Sequence, residues 1–249
     1  MISVIARHEL RSLFFSPLAW VVLALAQLLL AYIFLLNIDA FIAGQEELAL
    51  KPEAPGATLL VVVKTLLNAP TILMIVIPLI TMRFLSDERR MQTRMLLMSS
   101  PVSMTSIVLG KYLALVLFFL LLWLMLALMS VSLSMGTMLD LGHIVAALLA
   151  LWLFIMVVAA IGLFMSAVTA QPAIAAFSSF VIVLLLWIID SGSEVESGVS
   201  ILSHLSMSHH YQALLSGLIS LHSVAYFLLL TLMFLLLTIR RLYVERVYG

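Results

Sequence analysis

Cysteine is missing from this 249-residue chain. Disulfides and thiolate metal sites are therefore excluded, and nothing about redox compartment follows. Charge is scarce as well. Asp, Glu, Lys and Arg make up 10% of the residues, against about 25% in soluble domains. What fills the chain instead is apolar: 65% of residues are hydrophobic, where soluble proteins hold about 45–50%, and the mean hydropathy is +1.26. Several apolar runs reach the roughly 20 residues a helix needs to cross a hydrocarbon core. The chain reads as an all-α, polytopic membrane protein. Its first apolar run is too long for the core of a cleavable signal, and no small-x-small site follows it, so no cleaved leader is expected.

Six runs are read as spans, at about residues 18–41, 59–82, 107–134, 143–168, 173–189 and 223–239. Residues 42–58 form an acidic, Pro- and Gly-containing loop. Residues 83–106 hold a block of charge. Residues 135–142 and 169–172 are tight turns. Residues 190–222 begin too polar to span. With both termini placed inside, Arg7, Arg11, Arg83, Arg89, Arg90, Arg94, Lys111, Arg240, Arg241 and Arg246 share one side, leaving Lys51 and Lys64 outside. That is a positive-inside bias and predicts cytoplasmic termini.

Residues 1–16 suggest an interfacial helix: Ile2, Ala6, Leu10 and Leu13 fall on one face, Arg7 and Arg11 opposite. Glu9 falls on the apolar side and fits this pattern poorly. In the second span, Pro70 and Pro78 each remove a backbone donor and can kink the helix. A kinked span before the charge block would suit a moving element, and a tolerated structural kink reads equally well. Lys64 and Asn68 lie near its outer end. Lys64 is read first as a snorkelling cation and second as part of a substrate pathway. Gly162, Ser166 and Ala170 recur every four residues in span four, which permits close helix packing within the chain or at a dimer seam.

"LGKY" at residues 109–112 looks like a phosphate loop and fails as one. The motif needs glycine where Thr105 stands and Ser or Thr where Tyr112 stands. Lys111 is read instead as the flank of span three. In the outer segment, His204, His209 and His210 lack the i, i+4 spacing of paired ligands, so no metal site is assigned. "VSILSHLSMS" and "HHYQALLSGLI" are each too short to cross and apolar enough to dip in, provided they pack on protein. Tyr211 and Tyr226 fit an interfacial aromatic belt.

The charge block reads "SDERRMQTRMLLMSSPVS" from residue 86 to 103. A topology signal explains its arginines. It does not explain Asp87 and Glu88, nor a polar stretch longer than a hairpin needs. As a helix, Asp87, Arg90 and Arg94 form one stripe, and Phe84, Met91, Met95 and Met98 a neighbouring one. Pro101 ends it. Such a helix can dock in a groove on another protein, where methionine adapts to the surface it meets.

Glu88, Thr93, the Leu96-Leu97 pair and Pro101, followed by Val102 and "IVLGKYLA" at 107–114, resemble the signature of bacterial ABC-2-type transporter permeases. The resemblance extends to "ARHELRSLFFSP" at the N-terminus and to the six spans. "HHYQALLSGLISLHSVAYFLLLTLMFLLLT" is similar to the gliding-motility-associated subgroup, members of which also occur in non-gliding bacteria. Two positions depart: Gln92-Thr93 stands where the family usually has Gly-Thr, and His222 where an acidic residue is common. The resemblance implies a non-catalytic permease subunit of the bacterial inner membrane. ATP and Mg would be bound by a separate cytoplasmic ATP-binding subunit. A second permease copy or a paralogue would complete the membrane part, in contact with membrane lipids, with a periplasmic accessory protein as a further partner and no nucleic acid. Residues 86–101 would be the coupling helix, with Asp87, Glu88, Arg89, Arg90, Thr93, Arg94, Leu96, Leu97 and Pro101 at the ATPase contact. Lys64, Asn68, Pro70 and Pro78 are the pathway or hinge candidates. A membrane scaffold using the same charged loop is the competing class. An intramembrane enzyme is a third, and no paired His, Asp or Ser at membrane depth supports it.

Overall fold

Proline and serine punctuate the start of the chain. Ser16, held extended by the proline after it (φ −82°, ψ 114°), separates helix α1 (Ile2–Phe15) from α2 (Pro17–Ala43), which Pro17 opens at its first turn. The computed structural model describes residues 1–45, 56–90, 103–135, 139–189 and 205–248. Among these, all regular structure is helical.

A π-helical turn (Thr58–Val63) leads into α3 (Lys64–Thr81), and α4 (Arg83–Arg90) continues it after a turn at Met82. Next come α5 (Met104–Ser132), α6 (Leu141–Val168) and α7 (Pro172–Ile188). The short α8 (Met207–Leu215) and the long α9 (Leu221–Tyr248) complete the chain. Local chemistry sets these starts. Ser103 accepts from the Ser106 N–H, Asp140 from the Gly142 and His143 N–H groups, and Ser206 from the His209 N–H. Those bonds, the His143 N–H first, hold the exposed Asp140 carboxyl below the usual range.

Among the described residues, five helices are long and apolar enough to cross a membrane: α2, the Thr58–Ser86 rod, α5, α6 and α9. The expected fifth span, α7, is apolar but only 17 residues long, about 25 Å at the helical rise. The last helix runs past the expected end at residue 239 to Tyr248, so Arg240, Arg241 and Arg246 extend the span's own helix. Leu242, inside that extension, is buried, and Arg241 pairs with Glu245 one turn on at 3.0 Å.

Helix α6 is the axis of the bundle. Of its most apolar window, 78% is buried, against 28% for α2 and for α9. It packs against α9, α3, α7, α5, α8 and α4. Its buried face runs from Ile144 to Ala167 and is nearly all Ala, Val, Leu, Ile and Phe. In lipid, close fit rather than water exclusion drives helix association. Small side chains every turn let six neighbours approach one helix. At the other end, Gly217 turns α8 into α9 with φ +88°, and a Cβ there would lie 2.4 Å from the His143 ring.

Candidate functional site

The base of the charge block is tightly tied to its neighbours. Ser86 and Leu85 are buried, as are Thr81 and Phe84 beside them. A helix that restarts at Arg83 has backbone N–H groups to satisfy in its first turn. Met82, at the capping position, has only a thioether. Ser166 of α6 supplies the missing group. Its Oγ accepts from the Leu85 N–H (2.9 Å) and the Ser86 N–H (3.1 Å) and donates to the Met82 carbonyl (2.9 Å). Ser86 Oγ also donates to that carbonyl. One turn earlier on α6, Gly162 meets Thr81: a Cβ there would stand 2.1 Å from Thr81 Oγ1. Gly162 and Ser166 of the small-residue row therefore seat the junction of α3 and α4 within the chain, while Ala170 lies past the end of α6 and is exposed. For Ser166→Ala we expect a loss of about 1–3 kcal/mol, because two N–H groups lose their acceptor. Faster deuterium exchange at 82–90, with α5 and α9 unchanged, is the expected readout. Unchanged exchange there would reject the cap.

Lys111 is the second tie. It is buried (2% exposed) rather than flanking the span. Its Nζ donates to Glu9 Oε1 at 2.6 Å and to the Phe84 carbonyl at 3.0 Å, and it stands 5.7 Å from the centroid of the Phe84 ring. One ammonium thus joins α1, α5 and the start of α4. Glu9 is no misfit on an apolar face: it faces α5, where Lys111 waits. The close approach that allows this is made at Gly110, where a Cβ would come within 2.8 Å of Ile5. Arg7 and Arg11 are on the exposed side of α1. Beside the pair, Glu9, Ser12, Ser16, Arg83, Phe84 and Lys111 contribute to a cleft of about 320 Å³ between α1 and the α3–α4 junction.

Of the expected ATPase-contact residues, Asp87, Glu88, Arg89 and Arg90 lie on the backbone of α4, the helix rooted in this joint. Thr93, Arg94, Leu96, Leu97 and Pro101 lie outside the described residues. Pro70 and Pro78 are both buried within α3. Lys64 and Asn68 are exposed, and the Asn68 amide donates to the Lys64 carbonyl at 2.9 Å. At the same end of α3, Asn37 of α2 donates to Thr65 Oγ1 (3.0 Å), which donates to the Val61 carbonyl (2.7 Å).

Sequence reading missed the roles of Ser166, Glu9 and Lys111. The signal was present for the last two: a lone acid on an apolar face, and a lone cation early in a span. Tyr211 was also misplaced. It is fully buried between α6 and α7 rather than in an aromatic belt, 5.9 Å from Phe154 and 5.6 Å from Trp187, ring to ring. His210, also buried, stacks on Tyr226 at 4.3 Å and lies 3.2 Å through Nδ1 from Ser223 Oγ. Among the described residues no group of three His, Asp or Glu is gathered to hold a metal ion. His204 lies outside them.

These features define a multi-pass, all-helical membrane protein with a charged helix rooted at one end of its bundle. The chain belongs to the ABC-2 family of transporter proteins, whose family model matches residues 3–245. It is a membrane permease component of an ABC transporter. No curated protein matches it.

Proposed function

We propose that this chain is the non-catalytic transmembrane subunit of an ATP-driven exporter or outward-facing machine, coupled through residues 86–101 to a separate ATP-binding subunit. The observation that carries the reading is the joint at α4. The charged helix is a continuation of a span, fixed to α6 by Ser166 and to α1 and α5 by Lys111. A push on α4 therefore reaches three other helices without passing through a loose loop. Interfaces with two discrete packings amplify such small displacements.

In this reading ATP and Mg reside in the partner, and Glu88, Arg89, Arg90, Thr93 and Arg94 give the docking contact its register. Six crossings, α7 included, put both termini in the cytoplasm of a bacterium and the charge block with them. A second copy or a paralogue completes the membrane part. The described interior of α6 is apolar, which favours a lipid-like or peptide substrate, or force passed to an outer partner, over a hydrated channel. The similarity of residues 209–238 to gliding-motility-associated permeases is consistent with such a machine.

The test is purification of a tagged chain from its native host in mild detergent, followed by mass spectrometry. An ATP-binding protein is expected to co-purify, and Glu88→Arg combined with Arg90→Glu to reduce its coupled ATP turnover at least tenfold while the chain stays folded. Intact coupling and assembly in that variant would reject the docking assignment. A dispersed, intact chain with no ATPase would favour the scaffold instead. Recovery of a protein with a large outer domain would point to a machine rather than a simple exporter.

A further inference from the structure

Pro70 lies inside α3, where it has no N–H to donate to the carbonyl four residues back. That carbonyl belongs to Leu66, which is itself buried in the bundle. In an apolar interior such a group requires another donor. The Tyr211 hydroxyl provides it, at 2.6 Å from the Leu66 oxygen. Tyr211 comes from α8, 145 residues away in sequence, and is completely buried. Its ring is held edge-on to Phe154 of α6 and tilted against Trp187 of α7. The face of α8 that carries it, with Met207, His210, Leu214 and Leu215, is buried too.

We infer that Tyr211 is a positioning residue that caps the Pro70 hinge of the second span and ties α8 to it. The hydroxyl replaces a helix bond that proline removed, so the bond exists only while α8 sits on the bundle. Bending at Pro70 turns the Leu66 carbonyl away from Tyr211 and frees α8. Straightening restores the contact. The α3 rod that carries this hinge is the same one that continues into α4. Movement of the charged helix would therefore reach the far end of the bundle through one hydrogen bond. Only this last use rests on the permease reading; the cap itself does not.

The absence of cysteine allows a direct test without background labelling. Leu215, buried at the end of the same face of α8, is replaced by cysteine, and its reaction with a maleimide is timed in the full-length protein in detergent. Tyr211→Phe removes the hydroxyl and keeps the ring. Pro70→Ala restores the N–H that would satisfy Leu66, leaving the Tyr211 hydroxyl without its role. Each variant is expected to speed labelling at least threefold, and the double variant to be no faster than either single one. Tyr211→Phe should also lower Tm by about 3–6 °C in the Pro70 background and by less than about 1 °C in the Pro70→Ala background. A Tyr211 that merely packs would leave Pro70→Ala without effect on labelling at residue 215, or would give additive Tm losses. Either result overturns the cap. In the complex with the ATP-binding subunit, trapping ATP turnover with vanadate should change the labelling rate of the Leu215→Cys protein only while Tyr211 is present. A rate that ATP does not alter, with the cycle intact, would reject the use in transport and leave the cap standing.

Discussion

Replacing Lys111 with methionine is expected to cost the fold about 2–4 kcal/mol. The change keeps the length and the apolar stem and removes only the charge. Glu9, 20% exposed, then loses the ammonium 2.6 Å away, and the Phe84 carbonyl loses a donor at 3.0 Å. Breaking one side of a buried pair leaves the other desolvated, which is where most of the penalty arises. The same reasoning predicts the rescue. Glu9→Leu with Lys111→Met removes both charges together and should recover more than half of the loss. Glu9→Gln keeps an acceptor but leaves the Lys111 ammonium buried without its counter-charge, so it should cost nearly as much, about 2–3 kcal/mol. A double-mutant cycle by thermal unfolding in detergent checks all three. Additive single losses would mean that Glu9 and Lys111 act independently. Because the pair holds α1 and α5 against the start of α4, its loss should also weaken coupled ATP turnover in the assembled transporter.

Gly162→Ala is the second large effect expected, a destabilisation of about 3 kcal/mol from one methyl group. The new carbon would lie 2.1 Å from Thr81 Oγ1 and 2.8 Å from Thr81 Cβ. Thr81 cannot swing aside cheaply. It is fully buried, its Oγ1 donates to the Pro78 carbonyl at 3.3 Å, and a β-branched side chain on a helix has few rotamers. The displaced element must then be α3 itself, just where it passes into α4. Thr81→Ala added to Gly162→Ala should restore part of the loss and not all of it, since the Cβ at 2.8 Å remains. Full recovery would place the conflict at the hydroxyl alone. No recovery would mean that the helices had already moved apart. Ser166, one turn beyond, should then lose its hydrogen bonds to Leu85 and Ser86, so deuterium exchange at 82–90 would rise in Gly162→Ala as it does in Ser166→Ala.

Both predictions concern residues whose type was visible in the chain and whose partners were not. Composition and run length by themselves determined that this is an all-helical membrane protein, because no soluble core accommodates so many long apolar runs with so little charge. Helix starts were legible at Pro17 and Pro172, which open α2 and α7. The caps Ser103, Asp140 and Ser206 also act on their own backbone but were not read as starts, so α5 and α6 begin two or three residues before the expected 107 and 143, and α8 begins inside a segment read as one dipping piece. The charge block stood out because it interrupts that apolar pattern, and its motif led to the family. What the tertiary structure decided is every contact between helices. In a chain this uniformly apolar, a helix has no sharply defined inner face, so periodicity could not say that α6 is the axis or that α2 and α9 are peripheral. Nor could it pair Glu9 with Lys111, 102 residues apart, or Tyr211 with the carbonyl that Pro70 leaves open. Those partners are selected by distance in the folded bundle, where an unpaired charge or carbonyl costs most and a single well-placed group removes the cost.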